Sequence, residues 1–112
     1  MVTVPVFASA PYAEIKEEIT LPNELQRICS CESTGSPNNE PVQFNPDGTT
    51  LVGRINSDDK GACQINSFYW GDTAEKLGLD YINSKEDNYK LALHIYQENG
   101  SQPWFWSKGC WK

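Results

Sequence analysis

Glu32 is the side chain through which this 112-residue chain could do acid chemistry. It stands near the end of Leu25-Gln26-Arg27-Ile28-Cys29-Ser30-Cys31-Glu32-Ser33. That run reads as a short helix over residues 24–33, with Pro22 before it and Asn23 as its N-cap. Leu21, Leu25 and Ile28 recur at helical spacing and mark the buried face. At roughly 100° per residue, Glu32 falls within about 20° of Leu25 on that face. A carboxyl turned toward apolar packing keeps its proton to higher pH, because desolvation disfavours the charged form. This is how a general acid is made to work near neutral pH. The plainer alternative is a helix-end Glu that reaches solvent. Cys63 with His94 offers a rival chemistry, a thiolate nucleophile and its base acting on a peptide. It requires that Cys63 be a free thiol.

Cys29, Cys31, Cys63 and Cys110 make an even count in a short chain, which points to two disulfides and an exported protein. Cys29 and Cys31 diverge within a helix and do not bridge one another; beyond that, the sequence leaves the pairing open. C-x-C with a distant Cys and a lone His94 lacks the spacing of a zinc site, so no metal is expected. A net charge of −6, from 9 basic and 15 acidic residues, provides nothing to neutralise phosphates and argues against nucleic acid as a partner. No apolar run is long enough to span a bilayer, so no membrane insertion of this domain is expected. The length suits one small domain.

Elements that position these residues follow in order. Residues 1–20 read as an N-terminal arm, with Phe7-Ala8-Ser9-Ala10 resembling the end of a secretion-signal cleavage region. An edge strand over residues 3–7 is the alternative. Residues 21–112 form the domain proper. After the Glu32 helix, Thr34-Gly35-Ser36-Pro37-Asn38-Asn39 makes a loop. Residues 41–44 and 50–55 lean toward strand around the turn Asn45-Pro46-Asp47-Gly48, a β-hairpin. Asn56-Ser57-Asp58-Asp59 makes a second turn. Asp72 or Thr73 is expected to cap a helix running to Lys76 and stopped by Gly78. Ser84-Lys85-Glu86-Asp87 opens the next helix as a near capping box, with Tyr89, Leu91, Ala92, Ile95 and Tyr96 apolar and Asn99-Gly100 at its end. The tail from Pro103 to Trp111 is aromatic. Helix, hairpin, helix, helix is an α+β order.

Taken together, Glu32-Ser33 closing a helix, a hairpin, and then Asp59-Lys60-Gly61-Ala62-Cys63-Gln64-Ile65-Asn66-Ser67 resemble the lysozyme-like superfamily. The E-S pair followed by G-x-x-Q-I-N is similar to the lytic transglycosylases. D-x-G-x-x-Q-I-N-S is closer to the chicken-type lysozymes. Asn99-Gly100 followed by Trp104, Trp106 and Cys110 resembles the end of that fold, with the Trp spacing off by one residue. The similarity covers residues 21–111.

The resemblance implies a lysozyme-like α+β fold, mostly helical, with a small β-hairpin subdomain and a cleft between them. It implies cleavage of the β-1,4 bond between N-acetylmuramic acid and N-acetylglucosamine in peptidoglycan. Glu32 would protonate the leaving oxygen. Asp59, across the cleft, would stay ionised in its polar turn and stabilise or attack the cation. Lytic transglycosylases lack that second acid and leave a 1,6-anhydro end, so Asp59 tilts the reading toward hydrolysis. Ser33 would hydrogen-bond Glu32 or cap the helix. Gln64 and Asn66, two apart on an extended segment, would face the sugar from one side. Tyr89 and Trp104 would wall the acid, and Asn88 would be structural. By the same resemblance, Cys31–Cys110 would tie the tail to the catalytic helix and Cys29–Cys63 would form the other bridge. No cofactor is implied, because acid catalysis needs none. The expected partner is the glycan strand, the expected state a monomer, and the expected location outside the cell or in the envelope. An acidic enzyme has no long-range electrostatic steering toward an anionic wall. A disulfide-stapled glycan-binding module that kept the fold without activity is the alternative.

Overall fold

Helix α1 (Asn23–Thr34) carries Glu32 in its last turn and two of the four cysteines. The computed structural model describes residues 19–112, so the signal-like segment and the edge strand expected in the N-terminal arm lie outside the described residues. Leu25, Ile28 and Cys29 on α1 are fully buried, and Leu21 joins them from the preceding segment. Pro22, not Asn23, occupies the N-cap: it is extended (φ −55°, ψ 150°), makes no side-chain cap, and its carbonyl accepts the Gln26 N–H at 2.9 Å. The ring presets φ at a value that leads into a helix, and Asn23 becomes the first helical residue. Gly35 ends α1 with φ 80° and donates its N–H to the Cys31 carbonyl at 2.9 Å.

Both disulfides start on α1. Cys29 is bridged to Cys63 and Cys31 to Cys110, the pairing expected above. Tyr96 and Arg27 add polar ties: the Tyr96 hydroxyl donates to Glu24 Oε1 at 2.6 Å, and Arg27 Nε donates to the Trp111 carbonyl at 3.2 Å.

The β structure is smaller than the sequence suggests. Strands β1 (Asp59–Lys60) and β2 (Ile65–Asn66) pair antiparallel, Asp59 opposite Asn66 and Lys60 opposite Ile65. The hairpin expected from residues 41–44 and 50–55 is reduced to a turn and single bridges. Phe44 bridges Thr50, Val52 bridges Lys60, and the Gly48 N–H bonds the Asn45 carbonyl at 2.9 Å. Pro41 and Pro46 bring no N–H to a ladder. Val42, Phe44 and Val52 stay exposed, so no second layer backs a longer one.

Helix α2 (Ser67–Leu77) starts earlier than expected. Asn66 caps it, its side-chain oxygen accepting the Tyr69 N–H at 3.1 Å, so Asp72 and Thr73 are interior rather than first residues. Gly78 ends it with φ 71°. Helix α3 (Lys85–Asn99) is capped by Ser84, which accepts the Asp87 N–H at 3.0 Å. Leu91, Ala92 and Ile95 bury its inner face. A 3-10 segment (Gln102–Ser107) and a last turn, α4 (Lys108–Trp111), carry Trp104 and Trp111 into the core. The result is a small α+β fold, and no helix among the described residues is long and apolar enough to cross a membrane.

Two buried amides join the helical part to the β part. Gln43 accepts the Ala62 N–H at 2.8 Å and donates to the Tyr81 and Ile82 carbonyls, both at 2.9 Å. Asn88 accepts the Cys63 N–H at 2.9 Å and donates to the Lys60 carbonyl at 3.0 Å and the Tyr81 carbonyl at 2.9 Å. Every donor and acceptor is used, which is the condition for a buried polar group to help rather than harm. Gly61 sits between the two amides at φ 77°, and a Cβ there would collide with both.

Candidate active site

Glu32 reaches the surface of an open groove of about 550 Å³ from the last turn of α1. Asp59 and Asn66 come to the same groove from the β1–β2 pair, Tyr69 and Trp70 from α2, Ile95 and Asn99 from α3, and Trp104 and Trp106 from the 3-10 segment. A second lobe of about 680 Å³ shares Glu32, Asp59, Gln64 and Trp106 with it. Glu32, Asp59, Gln64, Asn66 and Trp104, separated by up to 72 residues in sequence, thus line one space. Ser33 and Tyr89 do not line it.

The environment of Glu32 is asymmetric. Burial pushes its carboxyl up from an ordinary 4.5 to about 7; a hydrogen bond from Ser107 opposes the rise, and the charge of Asp59 adds to it. Ser107 Oγ is 2.5 Å from Glu32 Oε2 and 3.1 Å from the Trp104 carbonyl, and it accepts the Trp111 Nε1–H at 2.9 Å. One serine hydroxyl therefore links the acid to both buried tryptophans of the tail. Nothing in the order of residues singles out Ser107. The only hint is its place next to Trp106, 75 positions from its partner.

Asp59 departs from expectation. Burial raises its carboxyl as well; the Asn66 amide opposes this, Asp58 adds to it, and Lys60 opposes it. The expectation that a polar turn keeps Asp59 low fails because Asp59 is in strand β1, half-buried in the groove wall, and not at the tip of the turn. Asn66 Nδ2 donates to Asp59 Oδ1 at 3.0 Å, which fixes the carboxylate's orientation from the partner strand. Asn66 thus caps α2 with its oxygen and holds Asp59 with its nitrogen.

Gln64 and Asn66 are not two residues of one extended run. Gln64 has φ 51°, a left-handed conformation uncommon for a residue with a side chain. Its Nε2 donates to the Gly61 carbonyl at 3.0 Å and the Leu51 carbonyl at 3.4 Å, closing the loop that carries Cys63. Ser33 is a helix-end residue: its hydroxyl donates to the Cys29 carbonyl at 3.0 Å and accepts the Val42 N–H at 2.8 Å, so the bond to Glu32 comes from Ser107 instead. Tyr89 packs against the core beside Gln26, Glu40 and Lys85, where burial pushes its hydroxyl up to about 12. Trp104 does stand beside the acid. It is buried, with its Nε1 donating to the Cys63 carbonyl at 2.9 Å. Trp106, by contrast, is 93% exposed at the groove rim.

With all four cysteines bridged, Cys63 has no thiol to offer, and His94 lies 3.7 Å from Glu98 on α3. The cysteine-nucleophile alternative is removed. Among the described residues no group of His, Cys, Asp and Glu is placed to hold a metal ion. Comparison of the chain with protein-family models, with curated proteins and with solved structures finds no match.

Proposed function

We propose that this protein is a peptidoglycan glycosidase of the lysozyme-like superfamily, cleaving the β-1,4 bond between N-acetylmuramic acid and N-acetylglucosamine with Glu32 as general acid. The observation that carries the reading is a carboxyl with a pKa of about 7 on one wall of an open groove, with a second carboxyl, Asp59, on the same groove and coupled to it by charge. Two carboxyls in unequal environments are what glycosidic cleavage requires.

Glu32 passes its proton to the leaving oxygen as the C1–O bond breaks. Asp59, held by Asn66, faces the oxocarbenium-like centre and stabilises it or bonds to it. Water then adds at C1 and returns a proton to Glu32. Ser107 donates to Glu32 once it is ionised, which makes the proton easier to release. The exposed face of Trp106 suits the apolar face of a sugar ring at the rim. Two disulfides fit a place outside the cell or in the envelope.

The test is wall clearing by Glu32→Gln. The expected outcome is retained fold and glycan binding with clearing lower by orders of magnitude; undiminished clearing would remove the acid assignment. Wild-type protein that binds glycan but never cleaves it would identify a binding module. Mass spectrometry of released fragments then separates reducing ends, expected here because Asp59 is present, from 1,6-anhydro ends.

A further inference from the structure

Arg54 lines the second lobe of the groove together with Glu32, Asp59, Trp106 and Ser107. Among the described residues lining either lobe it is the one Lys or Arg. Its guanidinium has no ion pair or hydrogen bond among the described residues. Arg54 thus brings a positive charge, with its guanidinium donors open to a ligand, to a groove that carries two carboxyls. No ion pair joins Arg54 to Glu32 or Asp59. Ile55, next to it and lining the same lobe, is fully exposed. A cationic fork with an adjacent apolar side chain matches a carboxylate carried next to a small alkyl group.

We propose that this lobe is a carboxylate subsite, in which Arg54 pairs with an acidic substituent of the sugar next to the cleaved bond and Ile55 covers its alkyl part. The proposal rests on the glycan-cleaving reading and sharpens it: the substrate is an acid-substituted glycan, and uncharged chitin-type chains lack the group that Arg54 binds. The carboxylate comes from the lactyl ether of a muramoyl residue or from the peptide attached to it.

Binding is measured on the cleavage-inactive Glu32→Gln protein, with and without Arg54→Gln, against three glycans of equal length. The first is a peptidoglycan strand with intact peptides. The second is the same strand stripped of peptides, leaving free lactyl carboxylates. The third is a chitin oligosaccharide. Arg54→Gln is expected to weaken the acidic glycans about tenfold and leave chitin binding unchanged, with Arg54→Lys between them. The lactyl carboxyl is an amide in the intact strand and free in the stripped one. Loss confined to the stripped strand therefore assigns the lactyl carboxylate, loss confined to the intact strand assigns the peptide, and loss on both assigns a subsite that takes either. Wild-type affinity for the acidic strand is also expected to fall with salt. Equal loss on all three, or no loss on either acidic strand, overturns the subsite while leaving the glycosidase reading standing. Absence of binding to all three before Arg54 is changed overturns both. Arg54 is exposed and makes no bonds to the described fold, so unchanged thermal melting is the expected control.

Discussion

Between pH 4.5 and about 7 the folded protein keeps a proton on Glu32 that the unfolded chain has lost. The folded pKa is the higher one, so the contribution of this group to stability is fully present below about 4.5 and is lost as pH rises through about 7. For a carboxyl so largely withdrawn from water the loss is on the order of 3 kcal/mol. Glu32→Gln should therefore match the wild type in thermal stability at pH 4 and exceed it at pH 8. The upward shift of Asp59 acts in the same direction. With Glu32 as the proposed general acid, cleavage should fall away as pH rises past about 7. Ser107 is the lever on that limit. Ser107→Ala removes a hydrogen bond to the charged form, which should raise the Glu32 pKa further, by roughly one unit, and carry the alkaline limb of the rate profile with it. Carbon NMR titration of Glu32 reads the same shift without relying on activity.

The elements that hold the two carboxyls depend on a few capped ends and on the amide pair at Gly61. Asn88→Ala would strand the Cys63 N–H and remove a donor from the Lys60 carbonyl, while the Tyr81 carbonyl would keep only its bond from Gln43. The expected cost is about 3 kcal/mol in urea unfolding, against about 1 kcal/mol for Ser84→Ala, which removes a single N-cap. Gly61→Ala should rank with Asn88→Ala because it meets both a positive φ and the two amides. Asn66 couples element to site: replacing it by Ala removes the α2 cap and the Asp59 hydrogen bond together. Cleavage should therefore suffer more than stability does.

At the scale of the molecule, the Cys31–Cys110 bridge fastens the tail that carries Trp104, Ser107 and Trp111 against α1. It closes a span of 79 residues, for which chain entropy alone predicts a stabilisation of about 4.5 kcal/mol. Its removal in a Cys31→Ser, Cys110→Ser protein should lower the melting temperature. It should also let water reach Glu32, bringing its pKa down toward 4.5. That shift is opposite in sign to the one expected for Ser107→Ala. The two variants thus separate the tail's role as a shield from its role as a hydrogen-bond donor.

Glu32, the glycine stops and the Ser84 cap were legible in the chain because each depends on residues within a few positions of itself. Helical spacing puts Glu32 on the face of Leu25 whatever the rest of the chain does. The α+β order follows from the same local patterns. The start of α2 and the raised pKa of Asp59 depart from the sequence reading for one shared reason. Asn66 can be a strand residue, a helix cap or a sugar contact, and only its neighbours in space, Asp59 and Tyr69, select among these. Ser107 was invisible because a hydrogen bond across 75 residues leaves no periodicity to detect. Local geometry sets which way a side chain points. How far its charge is tolerated there is a sum over solvent, dipoles and charges brought from the whole fold, and that sum exists only once the chain has closed on itself.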